Sequence, residues 1–448
     1  VLGQQIDEIL SLDYDGYWDR GYSPDFRKVQ GTMRAMLDKG QADQVVAHGM
    51  QLWAAADNLI ESLDHEGEIG MELGGCMELV FEAVLASSMP SFKRLCWMIV
   101  RFLEDEYRLL FDGEEWLKEG SFSAQDWSHA ADDLAQRLSS MPSGKGSFSL
   151  SFQRSKVLSW LIRALEESGR DGIVELLEKE APKTGEYGRL VDALEEAGEH
   201  EKAKSWAIKG FEDMFEHSPG TAWRLADKMK TMAARFGDHA QVAALEALAF
   251  FDRPHLQGYV ALEDVTAGLG LWPQVRENLL SFLETGTRPD AAKTPKALPA
   301  WPLPAPWVTL PPQSPRKVEF PDHHTLVEIA VHEKRHDDAV ARFREWETKS
   351  RWGAPSGLTL ADAVQKTHPE FSLDTWRKHA ESLIERVDKK AYQEASRFLR
   401  KMKKLHEETG RAEDWAAYVR TLRQRNRRRP RMMEVIDALE QRPVIKSG

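Results

Sequence analysis

A short turn recurs along the chain and constrains the fold more than any other feature. It reads as a glycine, four intervening residues and then an apolar residue. Copies begin at Gly40, Gly169, Gly198, Gly237, Gly270 and Gly410 and end on Val45, Val174, Ala203, Val242, Val275 and Trp415. The physical logic is local. A glycine closes one helix in the left-handed conformation, where any other residue is strained. A polar or acidic residue then opens the next helix, and the apolar residue begins its buried face. The middle copies lie 29, 39 and 33 residues apart, bracketing the period of about 34 residues of helix–turn–helix repeats.

The segments between turns carry helical periodicity. Val157, Trp160, Leu161 and Ala164 share one face, as do Leu190, Val191, Leu194 and Ala197. Trp206, Gly210 and Met214 behave similarly, and so does the run from Lys389 to Leu405. Strand-like alternation is confined to Ser147–Phe152, which is Ser-rich and reads as a loop. The expected fold is all-α, an α-solenoid of tetratricopeptide-like antiparallel helical hairpins.

Ten of the 21 prolines fall between Thr287 and Pro321, which excludes helix there. The expected organisation is an N-terminal α-solenoid over 1–286, a Pro-rich linker over 287–321, and a C-terminal helical region with a basic end over 322–448. Leu298, Trp301, Leu303, Trp307, Val308 and Leu310 suggest that the linker is laid along the helices. A sharper reading makes it a polyproline ligand for a partner.

The 448 residues include 42% hydrophobic ones, enough to bury a core. Cys76 and Cys96 are the two cysteines, too few for a disulfide scaffold or a four-cysteine zinc site. They fit a reducing cytoplasm and read as buried, inert thiols. No apolar run approaches the roughly 18 residues that span a bilayer, so no membrane association is expected. The N-terminus lacks a basic-then-apolar signal pattern. Ser143–Ser147 holds a lone Gly-Lys without phosphate-loop spacing and reads as an inter-helix loop. These observations assign no catalytic, metal or cofactor-binding residue.

His332-Glu333-Lys334-Arg335-His336 matches the H-E-x-x-H signature of zinc hydrolases. That chemistry needs both histidines on one helix face. Here Leu326, Ile329 and Ala330 form the face of one helix, and Ala339, Val340 and Phe343 that of the next. Lys334 therefore takes the place of the turn glycine, with Asp337 and Asp338 as the acidic opening of the second helix. A turn is the favoured reading and a zinc hydrolase the distant alternative. Asp13–Asp19 lacks the glycine and terminal glutamate of a calcium loop and reads as a solvated loop.

Charge is segregated. Residues 389–431 carry 15 Lys or Arg and 5 Asp or Glu, a local net of +10, within a chain of net −12. Arg423, Arg425, Arg427, Arg428, Arg429 and Arg431 could pair with the acidic body, bind an acidic protein, or neutralise nucleic-acid phosphates. Tyr392, Trp415 and Tyr418 sit among them at core spacing. Trp53, Trp97, Trp160, Trp206, Trp223 and Trp376 fall on apolar helix faces. Trp301, Trp307 and Trp352 lie in Pro- or Gly-flanked segments and are the candidate interface anchors.

Several stretches resemble the C-terminal helical region of bacterial SWIM zinc-finger proteins. They are Ala391–Leu405, Gly410–Leu422, Asn426–Met432, His368-Pro-Glu370 with Trp376 and Ala380–Glu385, Asp13–Asp19 and the Gly198 hairpin. The likeness runs patchily over most of the chain. It implies a bacterial, cytoplasmic interaction scaffold, with an AAA+ ATPase of the MoxR kind among its partners. The family's Cys-x-Cys and Cys-x-His finger is absent from these residues, so zinc is not carried over. The chain is then either the helical part of a longer protein or a relative without the finger. The expected function is a non-enzymatic protein-interaction scaffold within a larger complex. Nucleic-acid binding through the C-terminal arginines is the alternative.

Overall fold

The computed structural model describes residues 1–10, 26–63, 68–110, 113–143, 147–289, 298–310, 319–349 and 357–440. Asp13–Asp19, the middle of Ser143–Ser147, Pro311, Pro312 and Trp352 lie outside these residues. Among the described residues there are 22 helices and no strand.

The chain divides into two units, Val1–Leu225 and Ala226–Gly448. The first holds α1 (Leu2–Leu10), α2 (Phe26–Leu37), α3 (Ala42–Leu63), α4 (Glu68–Ala86), α5 (Ser91–Glu104) and α6 (Gly113–Glu119). It continues with α7 (Ala124–Ser140), α8 (Phe148–Ser168), α9 (Ile173–Thr184), α10 (Tyr187–Glu196) and α11 (His200–Met214). The division falls within α12 (Pro219–Arg235). The second unit holds α13 (His239–Asp252), α14 (Leu256–Gly268), α15 (Trp272–Thr285), α16 (His323–His332), α17 (His336–Lys349) and α18 (Leu358–Val364). It ends with α19 (Pro369–Glu385), α20 (Lys389–Glu408), α21 (Ala412–Asn426) and α22 (Pro430–Glu440). Within each unit the main packing partners are helices adjacent or nearly adjacent in sequence. That is the short-range stacking of an α-solenoid.

The turn glycines do what their positions predict. Gly40, Gly169, Gly198, Gly237, Gly270 and Gly410 all have φ between 68° and 75°. After each, the next N–H reaches back across the turn, as from Glu199 to Leu194 O at 2.8 Å and from Arg411 to His406 O at 2.8 Å. These are Schellman closures, which satisfy carbonyls the helix end would otherwise leave unpaired. Two residues after the left-handed position the next helix begins, except after Gly169. Val45, Ala203, Val275 and Trp415 are buried as expected, whereas Val174 and Val242 are half-buried.

Lys334 occupies the glycine position of the α16–α17 turn with φ 59°. The Arg335 N–H bonds Ala330 O at 2.8 Å, so the same closure forms without glycine. The predicted turn across the H-E-x-x-H sequence is therefore present.

Apolar faces fall largely as read. Val157, Leu161, Ala164, Leu190, Val191 and Leu194 are buried, but Ala197 caps α10 and is exposed. Trp376 is fully buried, and Trp53, Trp97, Trp160, Trp206 and Trp223 are half-buried. Trp53 and Trp97 are held there by Arg101, whose guanidinium lies 5.9 and 5.4 Å from their rings. Gly210 allows close packing of α11 on α10, since a Cβ there would meet Tyr187 Cγ at 2.6 Å. Burial pushes the Cys76 thiol up to about 12 and the Cys96 thiol to about 11.

Ser147–Phe152 differs from expectation. Phe148–Phe152 is helical, forming the start of α8, with Ser147 as its cap. Ser147 Oγ accepts from Leu150 N at 3.4 Å, so the serine caps the helix instead of continuing a loop.

The described part of the Pro-rich segment is non-helical, as its prolines require. Leu303 and Val308 are buried, and Leu303 joins a core with α13, α14, α15 and α16. The Asn278 side chain donates to Pro299 O at 3.1 Å. The segment is thus laid on the helices of the second unit.

Left-handed geometry generates a paired prediction. Nothing lies within 4 Å of a Cβ added at Gly198, so Gly198→Ala should cost about 1–2 kcal/mol through backbone strain alone. Lys334 is exposed, so Lys334→Gly should gain about 1 kcal/mol by removing the same strain. Urea unfolding of the two variants checks both signs.

Candidate interaction surface

The H-E-x-x-H residues diverge. His332 ends α16, and its Nε2 lies 3.2 Å from Glu263 Oε2 on α14. His336 opens α17, and its Nδ1 lies 2.9 Å from Thr367 Oγ1. Between them Glu333 turns toward α14 and α15. The Tyr259 hydroxyl donates to Glu333 Oε1 at 2.5 Å. Arg276 grips both carboxylate oxygens, with Nε to Oε1 at 2.5 Å and Nη2 to Oε2 at 2.6 Å. Arg335 Nε adds a third cationic donor contact, to Oε2 at 2.6 Å. Burial alone would raise this acid. The bonds from Arg276, Tyr259 and Arg335 outweigh it and hold the carboxyl at about 2. The glutamate that resembles a catalytic base is thus a fixed anion joining α14 and α15 to the α16–α17 turn. Among the described residues no group of histidine, cysteine and carboxylate side chains could hold a metal ion.

The sequence-predicted arginines separate into two kinds. Arg423 Nη2 is paired with Asp437 at 2.7 Å and Glu440 at 2.5 Å. Arg429 Nη1 donates to Ile384 O and Asn426 Oδ1, both at 3.1 Å. These two hold the structure. Arg425, Arg427, Arg428 and Arg431 are exposed and have no ion-pair partner among the described residues. Tyr392 and Trp415 are buried, and Tyr418 is half-buried with its hydroxyl 3.3 Å from Glu381. The aromatics interleaved in the basic block therefore belong to its core.

The tryptophans proposed as anchors also serve packing. Trp301 is half-buried, with its ring 5.7 Å from that of Phe251. With the Gln241 amide oriented to satisfy its neighbours, its oxygen accepts from the Trp307 backbone N at 2.7 Å and indole N at 3.3 Å. Both rings help fasten the Pro-rich segment, which leaves only part of each surface for a partner.

Sequence reading missed an exposed aromatic pair. Phe148 is 86% exposed and Phe152 53% exposed at the start of α8. Their rings stack 6.2 Å apart, and the Lys156 ammonium sits 5.5 Å from the Phe152 ring. The i, i+4, i+8 spacing was available as a signal, once the segment is taken as helix. A separate cleft of about 550 Å³ lies between α17 and α19. Phe343 and Phe371 line it, with Arg344, Glu347, Asp374 and Lys378.

No family model matches the chain, and no curated protein matches it. A search of solved structures finds a circular tandem repeat protein with novel repeat topology and enhanced subunit contact surfaces. It is 15% identical, with 92% of this chain and 90% of that chain covered and a TM-score of 0.15. At that TM-score the likeness carries no argument about fold or function. No described helix is long and apolar enough to cross a membrane.

The Glu333 cluster sets a pH dependence. Its folded-state value lies below the ordinary carboxylate value of 4.5, so it stabilises the fold above that pH. The contribution is lost as pH falls from about 4.5 toward about 2. Glu333→Gln should flatten acid unfolding in that window and cost about 2 kcal/mol at neutral pH, because Arg276 loses its counter-charge. Acid titration of wild type and variant by circular dichroism is the check.

Proposed function

We propose that the chain is a non-enzymatic protein-interaction scaffold, a subunit of a larger bacterial cytoplasmic complex. The observation that carries this reading is the Phe148–Phe152 pair. Single exposed apolar residues are ordinary on a protein surface. Two stacked rings one helical turn apart, flanked by a lysine, are a rigid apolar anchor with a polar rim. Short-range hairpin stacking supports the reading, because each added hairpin extends a surface without disturbing the others. The resemblance to SWIM zinc-finger proteins puts an AAA+ ATPase first among partners to test.

An affinity capture from the source lysate tests this, with nuclease present throughout. Wild type should retain a stoichiometric protein that Phe148→Ala/Phe152→Ala loses. Both side chains are exposed, so the double variant should keep its stability within about 0.5 kcal/mol per site. Equal recovery by the two proteins would overturn the assignment of the anchor.

A further inference from the structure

The four arginines without an ion-pair partner among the described residues are carried on a braced support. Asn426 is buried, and its Nδ2 donates to Leu422 O at 2.9 Å. Arg429 bridges Asn426 Oδ1 and Ile384 O. Met432 is fully buried just beyond. The turn between α21 and α22 is therefore pinned at its base, while Arg425, Arg427, Arg428 and Arg431 project from it. The same Arg429 bond has a second consequence. Ile384 lies at the end of α19, so the α19–α20 loop is brought beside the α21–α22 turn. That loop contributes Arg386, held only at 4.0 Å from Asp388, and the first residues of α20 add exposed Lys389 and Lys390. Asp388 is occupied as the α20 cap, accepting from Ala391 N at 2.8 Å, and exposed Glu385 ends α19 beside it.

Two loops distant in sequence thus form one basic patch. Its composition says what it fits. Protein interfaces place aromatic and apolar groups at their centre and deplete charge there. Here Val387, 56% exposed, is the large apolar side chain at the patch. Single-stranded nucleic acid is held by stacking bases on exposed aromatics. The aromatic residues described in α19–α22 are buried or half-buried. What remains is a set of guanidinium and ammonium groups on a braced backbone, suited to a row of phosphates. We propose that the patch made by the α19–α20 loop and the α21–α22 turn binds the phosphate backbone of duplex nucleic acid without reading its sequence. Arg425, Arg427, Arg428 and Arg431 make the principal contacts, and Arg429 positions the turn that carries them. The patch shares no residue with the Phe148–Phe152 pair, so either assignment can fail alone.

Fluorescence anisotropy on the full chain tests this, with a labelled short DNA duplex, the same strand alone, and a labelled poly-glutamate peptide. Wild type should bind the duplex, with log affinity falling linearly against log salt at a slope of about −3 to −4 for four phosphate contacts. Changing Arg425, Arg427, Arg428 and Arg431 together to Gln should weaken binding at least about tenfold and remove most of that slope, about one per arginine. All four are exposed, and an unchanged circular dichroism melt confirms that the variant folds. Lys39→Gln/Lys118→Gln, in the first unit, should bind as wild type. Scrambling the duplex sequence should change nothing. Unaltered binding by the four-arginine variant overturns the proposal. So does tighter binding of the single strand, or binding of poly-glutamate with none of the duplex, which would assign the patch to an acidic protein.

Discussion

The structure depends first on one backbone event, the left-handed residue that closes a helix. A helix end leaves carbonyls without partners, and hairpins cannot stack closely while those groups need water. The residue after the left-handed position supplies an N–H to a carbonyl five residues back, as Arg170 does to Leu165 O and Asp238 to Ala233 O. The chain is reversed in the same step, and the next helix begins almost at once. Side-chain packing then has little freedom left, because the start of each buried face is already set. Lys334 shows that the geometry matters more than the glycine. The same closure forms there at a steric cost that glycine would avoid.

A second class of constraint joins hairpins through buried or half-buried charge. In the first unit Arg154 Nε meets Glu180 Oε2 at 2.6 Å with both side chains almost wholly buried. Arg154 also donates to Met141 O at 3.0 Å, and Lys183 donates to Glu180 at 2.9 Å. In the second unit Glu333 plays the comparable part. Such pairs contribute little net stability against the cost of desolvation, but removing one partner leaves a charge stranded. Their effect is selective. A hairpin set down one turn out of register would bury Glu180 or Glu333 without its arginine.

The difference between local and distant determinants explains what the sequence discloses. Turns and apolar faces depend on residues within about ten positions of each other, and they can be read directly. Ser147–Phe152 escapes that reading for a local reason. Two exposed phenylalanines and a capping serine imitate the alternation of a strand. Glu333 escapes for a distant one. Tyr259 and Arg276 lie 74 and 57 positions away, and no periodicity links them to a motif that looks catalytic. The same limit applies to the arginines. Composition finds the cluster, but only the fold shows that Arg429 is occupied by Ile384 O and Arg423 by α22.

Charge segregation follows from this architecture more than from the net count. In a stacked array a surface cation finds an anion on its own helix or on one that lies one or two places away in sequence. Lys401 reaches Asp362 at 2.7 Å, and Lys404 lies 3.7 Å from Glu408. Arg411 pairs with Glu370 and with Asp414. The outer face of α20 opposes its buried face and has few such neighbours, so Arg397 and Arg400 stay exposed. Where two loops meet at the Arg429 bridge, local pairing is sparser still. A chain of net −12 can therefore keep a concentrated positive stretch over residues 389–431. Short-range packing builds the hairpins, and it also keeps their charges apart.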